Sequence, residues 1–250
     1  MFHPHGPTVW ELIVQALSST ERGYDLLAPK FEYTPFRTPD AILVPALAHL
    51  GGPESCATAL DMCCGTGAAL CHLRRLCRDR VVGMDVSRGM LEVARYRTHM
   101  APGDAGIDLV RGNVLAMPFT AAFDVAVCFG AFGHFLPQEQ AQFIAQVAQV
   151  LKPGGRFMCV TTLRPPVWSA RYWRVQGFNA LMSLRNRLHT PPCIMYYLTF
   201  LLPQVVALLS QHGFTVAVHA SVFPGRLQHV RLVIGTLTER AEGARTPPSG

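Results

Sequence analysis

The stretch Ala59-Leu60-Asp61-Met62-Cys63-Cys64-Gly65-Thr66-Gly67 decides the fold. A short apolar strand ends at an acid and runs directly into a glycine turn. Gly65 and Gly67 carry no Cβ, so the backbone can turn tightly there and let a ligand approach closely. A helix predicted to start at Ala68-Ala69-Leu70 turns its free N–H groups toward that turn. A second strand, Arg80-Val81-Val82-Gly83-Met84, ends at Asp85, eighteen residues past Gly67. A carboxylate at that strand end can accept hydrogen bonds from both hydroxyls of a ribose. Together these features point to an α/β domain that grips an adenosine-bearing ligand.

The turn also excludes ligands. A dinucleotide site needs G-x-G-x-x-G, because a pyrophosphate must lie against the helix N–H groups. Here Cys63 stands where a first glycine could be, and Leu70 and Cys71 sit where the third would fall. No lysine follows the glycines, so a phosphate-binding loop of the nucleotide hydrolase type is disfavoured as well.

Outward from this core the chain alternates. The spacing predicts strand 57–62, helix 67–77, strand 80–84, helix 87–99, strands 107–110 and 123–128, helix 137–150 and strand 155–162. Such alternation predicts a parallel sheet covered on both faces, with ligands at the carboxyl ends of the strands. Asp61, Asp85, Asn113 and Phe129 all fall at predicted carboxyl ends, so four separate motifs converge on one cleft. Pro203–Gln211 reads as a helix ended by Gly213, and 214–221 and 230–237 read as an antiparallel hairpin around Pro224-Gly225.

The segment around Asp61 resembles motif I of the class I S-adenosylmethionine-dependent methyltransferases, in the manner of the small-molecule and quinone-methylating members. Further landmarks follow in order: Val81 to Leu91 resembles the second strand and its helix, Val110 to Phe119 the adenine-contacting loop, Phe123 to Gly130 the fourth strand, and Leu151 to Phe157 the turn into the fifth. The likeness covers 57–162 strongly and 203–237 weakly. It implies a doubly wound, Rossmann-like, seven-stranded α/β sheet, mostly parallel with a C-terminal antiparallel strand and a helical insert before the last helix. It implies S-adenosylmethionine as cofactor, held by Asp61, Cys63, Gly65, Thr66, Gly67, Asp85, Val86, Asn113, Val114 and Phe129. Two departures stand out. Cys63 replaces the usual first glycine, and Asn113 replaces an Asp often set against the adenine amino group, whose hydrogen bond an amide oxygen can still accept.

The domain organisation then reads as an N-terminal helical lid segment (1–52), the cofactor-binding core (53–162), a substrate-binding insert (163–202), a completing helix and hairpin (203–238) and a disordered tail (239–250). Tyr33 and Arg37 are lid candidates, with core packing the other reading of Tyr33. The insert carries Trp168, Tyr172 and Trp173 as substrate candidates, interleaved with arginines. His134, just after the fourth strand, is the candidate general base, since an imidazole titrates near neutrality; simple packing beside the cofactor methionine is the alternative.

Charge sharpens the substrate class. The formal charge of +6 hides an asymmetry: residues 140–238 hold nine Lys or Arg and no Asp or Glu, whereas 1–139 hold 11 basic and 14 acidic residues. A basic, aromatic insert suits an apolar, lipid-like acceptor with an acidic or phenolic group, or peripheral contact with an anionic membrane. Nucleic acid is disfavoured, since no added binding module and no Asn/Asp-Pro-Pro-Tyr/Phe motif is present. Met195–Leu209 is apolar but too short to span a bilayer. Eight scattered cysteines without a C-x-x-C pair, and no secretory leader, suit free thiols in a reducing cytoplasm with no bound metal; His3 and His5 fall in a terminus expected to be disordered. The expected activity is methyl transfer to a small acceptor, at oxygen before carbon. The rival is a non-catalytic S-adenosylmethionine-binding scaffold. Oligomeric state is not legible.

Overall fold

The computed structural model describes residues 3–238, so the expected disordered tail lies outside the described residues. Seven strands form one sheet in the order β3-β2-β1-β4-β5-β7-β6, with β1 at Cys56–Met62, β2 at Cys77–Asp85, β3 at Gly106–Arg111, β4 at Phe123–Cys128, β5 at Leu151–Thr162, β6 at Phe214–His219 and β7 at Val230–Leu237. β1 through β5 pair in parallel, and β7 runs antiparallel to both β5 and β6. The chain order reverses between β1 and β4, so a crevice opens at their carboxyl ends.

The period-two alternation of the strands sorts the two faces. Ala59 of β1 and Val125 and Val127 of β4 pack with Leu43 and Leu47 of α3 (Asp40–Leu47) and with Leu70 and Leu73 of α4 (Ala68–Leu76). The intervening Leu60, Met62, Ala126 and Cys128 point the other way, onto Phe143 and Val147 of α6 (Gln140–Val150) and Val205 and Leu209 of α8 (Leu202–Gln211). Helix α5 (Arg88–His99) joins the first layer through Leu91. With both faces covered, the central strands read as continuous apolar runs. All eight cysteines are free thiols, six of them buried.

Two helices that the spacing did not single out complete the fold. Helix α2 (Thr20–Leu27) follows α1 (Val9–Leu17) and is capped by Ser19, whose hydroxyl accepts from the Arg22 N–H. Helix α7 runs unbroken over Ala170–Leu188 in the insert. The returning segment is held to α7 by two asparagines seven residues apart: Asn179 exchanges hydrogen bonds with the Tyr197 backbone, and Asn186 with that of Cys193. Predicted boundaries shift by a few residues elsewhere. β2 begins at Cys77 and β5 at Leu151, because ladder pairing with β1 and β4 carries both strands back through polar residues. β6 ends at His219, short of the predicted 221. The His3 ring stacks on Tyr33 at 4.7 Å and His5 tilts against it.

Candidate cofactor and acceptor site

The β1 turn is built as its residues require. Cys63, Gly65 and Gly67 take φ of +58°, +52° and +79°, the left-handed region that only glycine adopts freely. A side chain on Gly67 would meet Ala94 and Thr98 at 3.2 Å, so this glycine lets α5 close on the turn. A Cβ on Gly65 would meet nothing within 4 Å; it would project into open space beside the cleft. Gly65 donates its N–H to Asp85 Oδ2 and Ser87 donates to Asp85 Oδ1, both at 2.9 Å. Each carboxylate oxygen keeps a further lone pair for a ligand hydroxyl. Burial raises the Asp85 carboxyl above its ordinary range, opposed by those backbone N–H bonds.

Asp61 is the outlier of the site. It is 2 % exposed, and its Oδ2 has no hydrogen-bond partner among the described residues. Burial, and after it the Asp85 charge, pushes its carboxyl well above the usual range. A buried carboxylate facing a cleft without a partner is costly unless a cation arrives.

The cleft is lined by Asp61, Cys63, Gly65, Thr66, Asp85, Val86, Val114 and Phe129, and by residues of the N-terminal segment. Most of the predicted cofactor residues are therefore brought together. Gly67 acts behind the lining, through α5. Asn113 is exposed, and its Oδ1 accepts from the Leu115 N–H at 2.9 Å; Gly112 and Val114 line the cleft on either side of it.

The N-terminal segment closes over the cleft through one clamp. Glu32 accepts from the Thr66 hydroxyl at 2.5 Å and pairs with Arg37 at 2.9 Å and Arg97 at 2.5 Å. Asp25 of α2 accepts from Ser87 Oγ at 2.6 Å and from the Gly89 N–H at 2.9 Å, fastening α2 to the start of α5. Of the two lid candidates, Arg37 lines the cleft; Tyr33 does not, being 43 % exposed and stacked on His3.

A second cavity opens beside the first. It is lined by Phe36, Phe132, Val160, Met195, Tyr196 and Phe200 among others, with Arg171 as its single charged side chain. The two cavities share Tyr24, Phe36, Gly130 and His134. At this seam Tyr24 Oη lies 2.8 Å from His134 Nε2, and His134 Nδ1 lies 2.6 Å from the Ile194 carbonyl oxygen. A carbonyl only accepts, so Nδ1 carries the proton and Nε2 accepts from the Tyr24 phenol. Burial pushes the imidazole pKa down and the phenol pKa up, so both are neutral at pH 7. Gly133 lets the insert approach, since a Cβ there would run into the Tyr196 carbonyl. Trp168, at 84 % exposure, Tyr172 and Trp173 line neither of these cavities. Their aromatic composition suggested a pocket, but Trp168 stands before α7 and is exposed, as is Trp173 on the helix. Tyr24 and Glu32 escaped the sequence reading: α2 is only eight residues long, with the Ser19 cap as its available signal, and Glu32 lies beyond it in the short Ala28–Tyr33 turn.

Residues 59–155 match the family model of a methyltransferase domain. This stretch of the chain is similar to a methyltransferase domain. Demethylmenaquinone methyltransferases of Bacillus licheniformis and Shouchella clausii are 30 % and 34 % identical over 134 residues, covering 53 % and 52 % of this chain and 56 % and 55 % of theirs. The chain thus matches these curated relatives over about half of their length. Among solved structures, a chain of the Haloferax volcanii complex between the Trm112 methyltransferase activator and a methyltransferase has a TM-score of 0.62 at 19 % identity, covering 90 % of this chain and all of the other. The N-methyltransferase NodS of Bradyrhizobium japonicum, in complex with S-adenosylhomocysteine, has a TM-score of 0.60 at 15 % identity, covering 89 % and 100 %. At such identities the likeness is one of fold.

S-adenosylhomocysteine is bound in the NodS neighbour, and the cleft here has the chemistry to take an S-adenosylmethionine-like ligand. The unpartnered Asp61 carboxylate suits the ammonium of the methionine moiety, Asp85 the ribose hydroxyls, and the open space at Gly65 a closely approaching ligand.

Proposed function

We propose that the protein transfers the methyl group of S-adenosylmethionine to a small, apolar, lipid-like acceptor bearing an aromatic or acidic hydroxyl, at oxygen. The observation that carries this reading is the Tyr24–His134 pair at the seam of the two cavities. Bound S-adenosylmethionine supplies an already activated methyl group, so the protein must position the acceptor and remove its proton. The apolar wall of Phe132, Met195 and Phe200 excludes water from the acceptor. An acceptor hydroxyl that donates to Tyr24 Oη completes a chain: Tyr24 passes its own proton to His134 Nε2, and the Ile194 carbonyl stabilises the resulting imidazolium. Tyr24 is neutral again at the end, and His134 holds the proton until solvent or product takes it.

The names of the demethylmenaquinone methyltransferase relatives favour one second reading, transfer to a ring carbon. The same pair serves there, since removing the proton of a ring hydroxyl activates the neighbouring carbon.

The test is kinetic. Tyr24→Phe and His134→Ala should each lower kcat roughly 10²- to 10⁴-fold while changing S-adenosylmethionine affinity less than about threefold. Unchanged kcat in both variants with a turned-over acceptor rejects the relay. Tight cofactor binding with no turnover of any acceptor by the wild type favours the scaffold alternative.

A further inference from the structure

Helix α7 carries a second apolar stripe besides the one that packs. Its inner face, carrying Arg171, Val175 and Met182, looks onto the acceptor cavity and the folded-back segment. Its outer face carries Trp173, Gly177, Ala180, Leu181, Leu184 and Leu188, all exposed, with Trp173 at 65 % and Leu188 at 78 %. At 3.6 residues per turn these six fall within about 100° of arc. Exposed Arg174 and Arg187 flank that arc, one on each side. No charged residue stands within it, and no Asp or Glu occurs anywhere in 140–238.

The stripe does not end with the helix. Arg185 donates to the Ser18 carbonyl at 3.0 Å, and His189 lies 3.0 Å from that of Leu17, which brings the end of α7 against the end of α1. Helix α1 exposes Val9, Trp10, Ile13 and Leu17. Trp168, before α7, adds a tryptophan at the other end. Tryptophan and leucine on one face with arginine at the borders is the pattern of a helix lying flat in a lipid–water interface.

We infer that the outer face of α7, continued by α1, docks the protein on an anionic membrane surface. Charge complementarity selects this occupant over a second copy of the chain, because two such faces would bring like-charged arginine borders together. No described helix is long and apolar enough to cross a bilayer, so the contact is peripheral. The placement deepens the proposed function, and this last link rests on it: the first turns of the docking helix line the acceptor cavity through Arg171 and Val175, so docking holds the cavity close to a source of lipid-like acceptors.

The experiment is sedimentation of the full chain with vesicles of phosphatidylcholine alone or mixed with phosphatidylglycerol, with no methyl acceptor present. It therefore stands or fails independently of turnover. The wild type should pellet with the mixed vesicles and be released by high salt. Arg174→Glu with Arg187→Glu should lower partitioning about thirtyfold or more, and Leu184→Glu with Leu188→Glu at least about tenfold. Calorimetric titration with S-adenosylmethionine should be unchanged in both double variants, which shows that they are folded. Absence of the wild type from the mixed-vesicle pellet overturns the inference. So does partitioning that both variants retain, or a dimer in sedimentation velocity that Leu184→Glu with Leu188→Glu dissolves without affecting lipid binding.

Discussion

Asp61→Asn should move stability and cofactor binding in opposite directions. The wild-type carboxylate is buried, its Oδ2 is unpartnered among the described residues, and the Asp85 charge lies near. An amide of the same shape removes the buried charge. Leaving a charged group desolvated without a partner costs about 1–3 kcal/mol. Taking about 2 kcal/mol as the gain, a chain of this size should melt roughly 4–8 °C higher without ligand. The sign carries a pH signature. The folded carboxyl titrates above its unfolded range, so the contribution of Asp61 to ligand-free stability is fully present below pH of about 4 and is lost as pH rises toward the folded pKa. The advantage of the variant should therefore grow with pH over that window and then level off. Binding should respond oppositely, since truncating one partner of a buried charge pair costs about 2–4 kcal/mol, roughly thirty- to a thousandfold in Kd. Calorimetric melting without ligand and titration with S-adenosylmethionine read the two effects. A ligand-free variant that melts at or below the wild type, with affinity unchanged, refutes the assignment of Asp61 to the cofactor ammonium.

Further outcomes follow from the same geometry. Glu32→Ala removes the carboxylate that accepts from Thr66 and pairs with Arg37 and Arg97, so S-adenosylhomocysteine should leave at least about tenfold faster in stopped flow, with stability down about 1–3 kcal/mol; an unchanged off-rate counts against the clamp. Cys63→Gly relieves a left-handed cysteine and should raise the urea midpoint, the gain staying below about 1 kcal/mol because glycine frees the unfolded chain. A clear loss of stability would mean that the thiol's contact with Cys128 outweighs the strain. Since burial holds the His134 pKa down, log kcat should fall with decreasing pH only below the ordinary imidazole range. A break at or above pH of about 7 contradicts a buried neutral base.

The central architecture was legible because its signals are local. An acid, a glycine turn and a second acid are fixed by strand ends and turn sterics, and the parallel β1–β2 register, Asp61 beside Gly83, brings Asp61 and Asp85 to one cleft. The alternation of strand and helix likewise required the doubly wound sheet. What escaped depends on long-range packing. Tyr24 reaches His134 across 110 residues of sequence, and Glu32 reaches Thr66 across 34, with no periodic pattern to announce either contact. The aromatic insert misled for a related reason. Helix α7 carries apolar residues on both faces, so composition marked Trp173, and Trp168 just before the helix, without telling which side they occupy. Asn113 was read through its family position, whereas its oxygen caps the local turn at Leu115, as Asn side chains readily do.

Transfer of radiolabelled methyl from S-adenosylmethionine to apolar phenols and hydroquinones tests the central claim most directly, with Asp85→Ala and Tyr24→Phe alongside. The account predicts label in at least one acceptor with the wild type, loss of labelling at low cofactor concentration in Asp85→Ala, and loss at saturating cofactor in Tyr24→Phe. Binding of S-adenosylmethionine and S-adenosylhomocysteine without label in any acceptor would contradict it and identify the chain as a cofactor-binding scaffold.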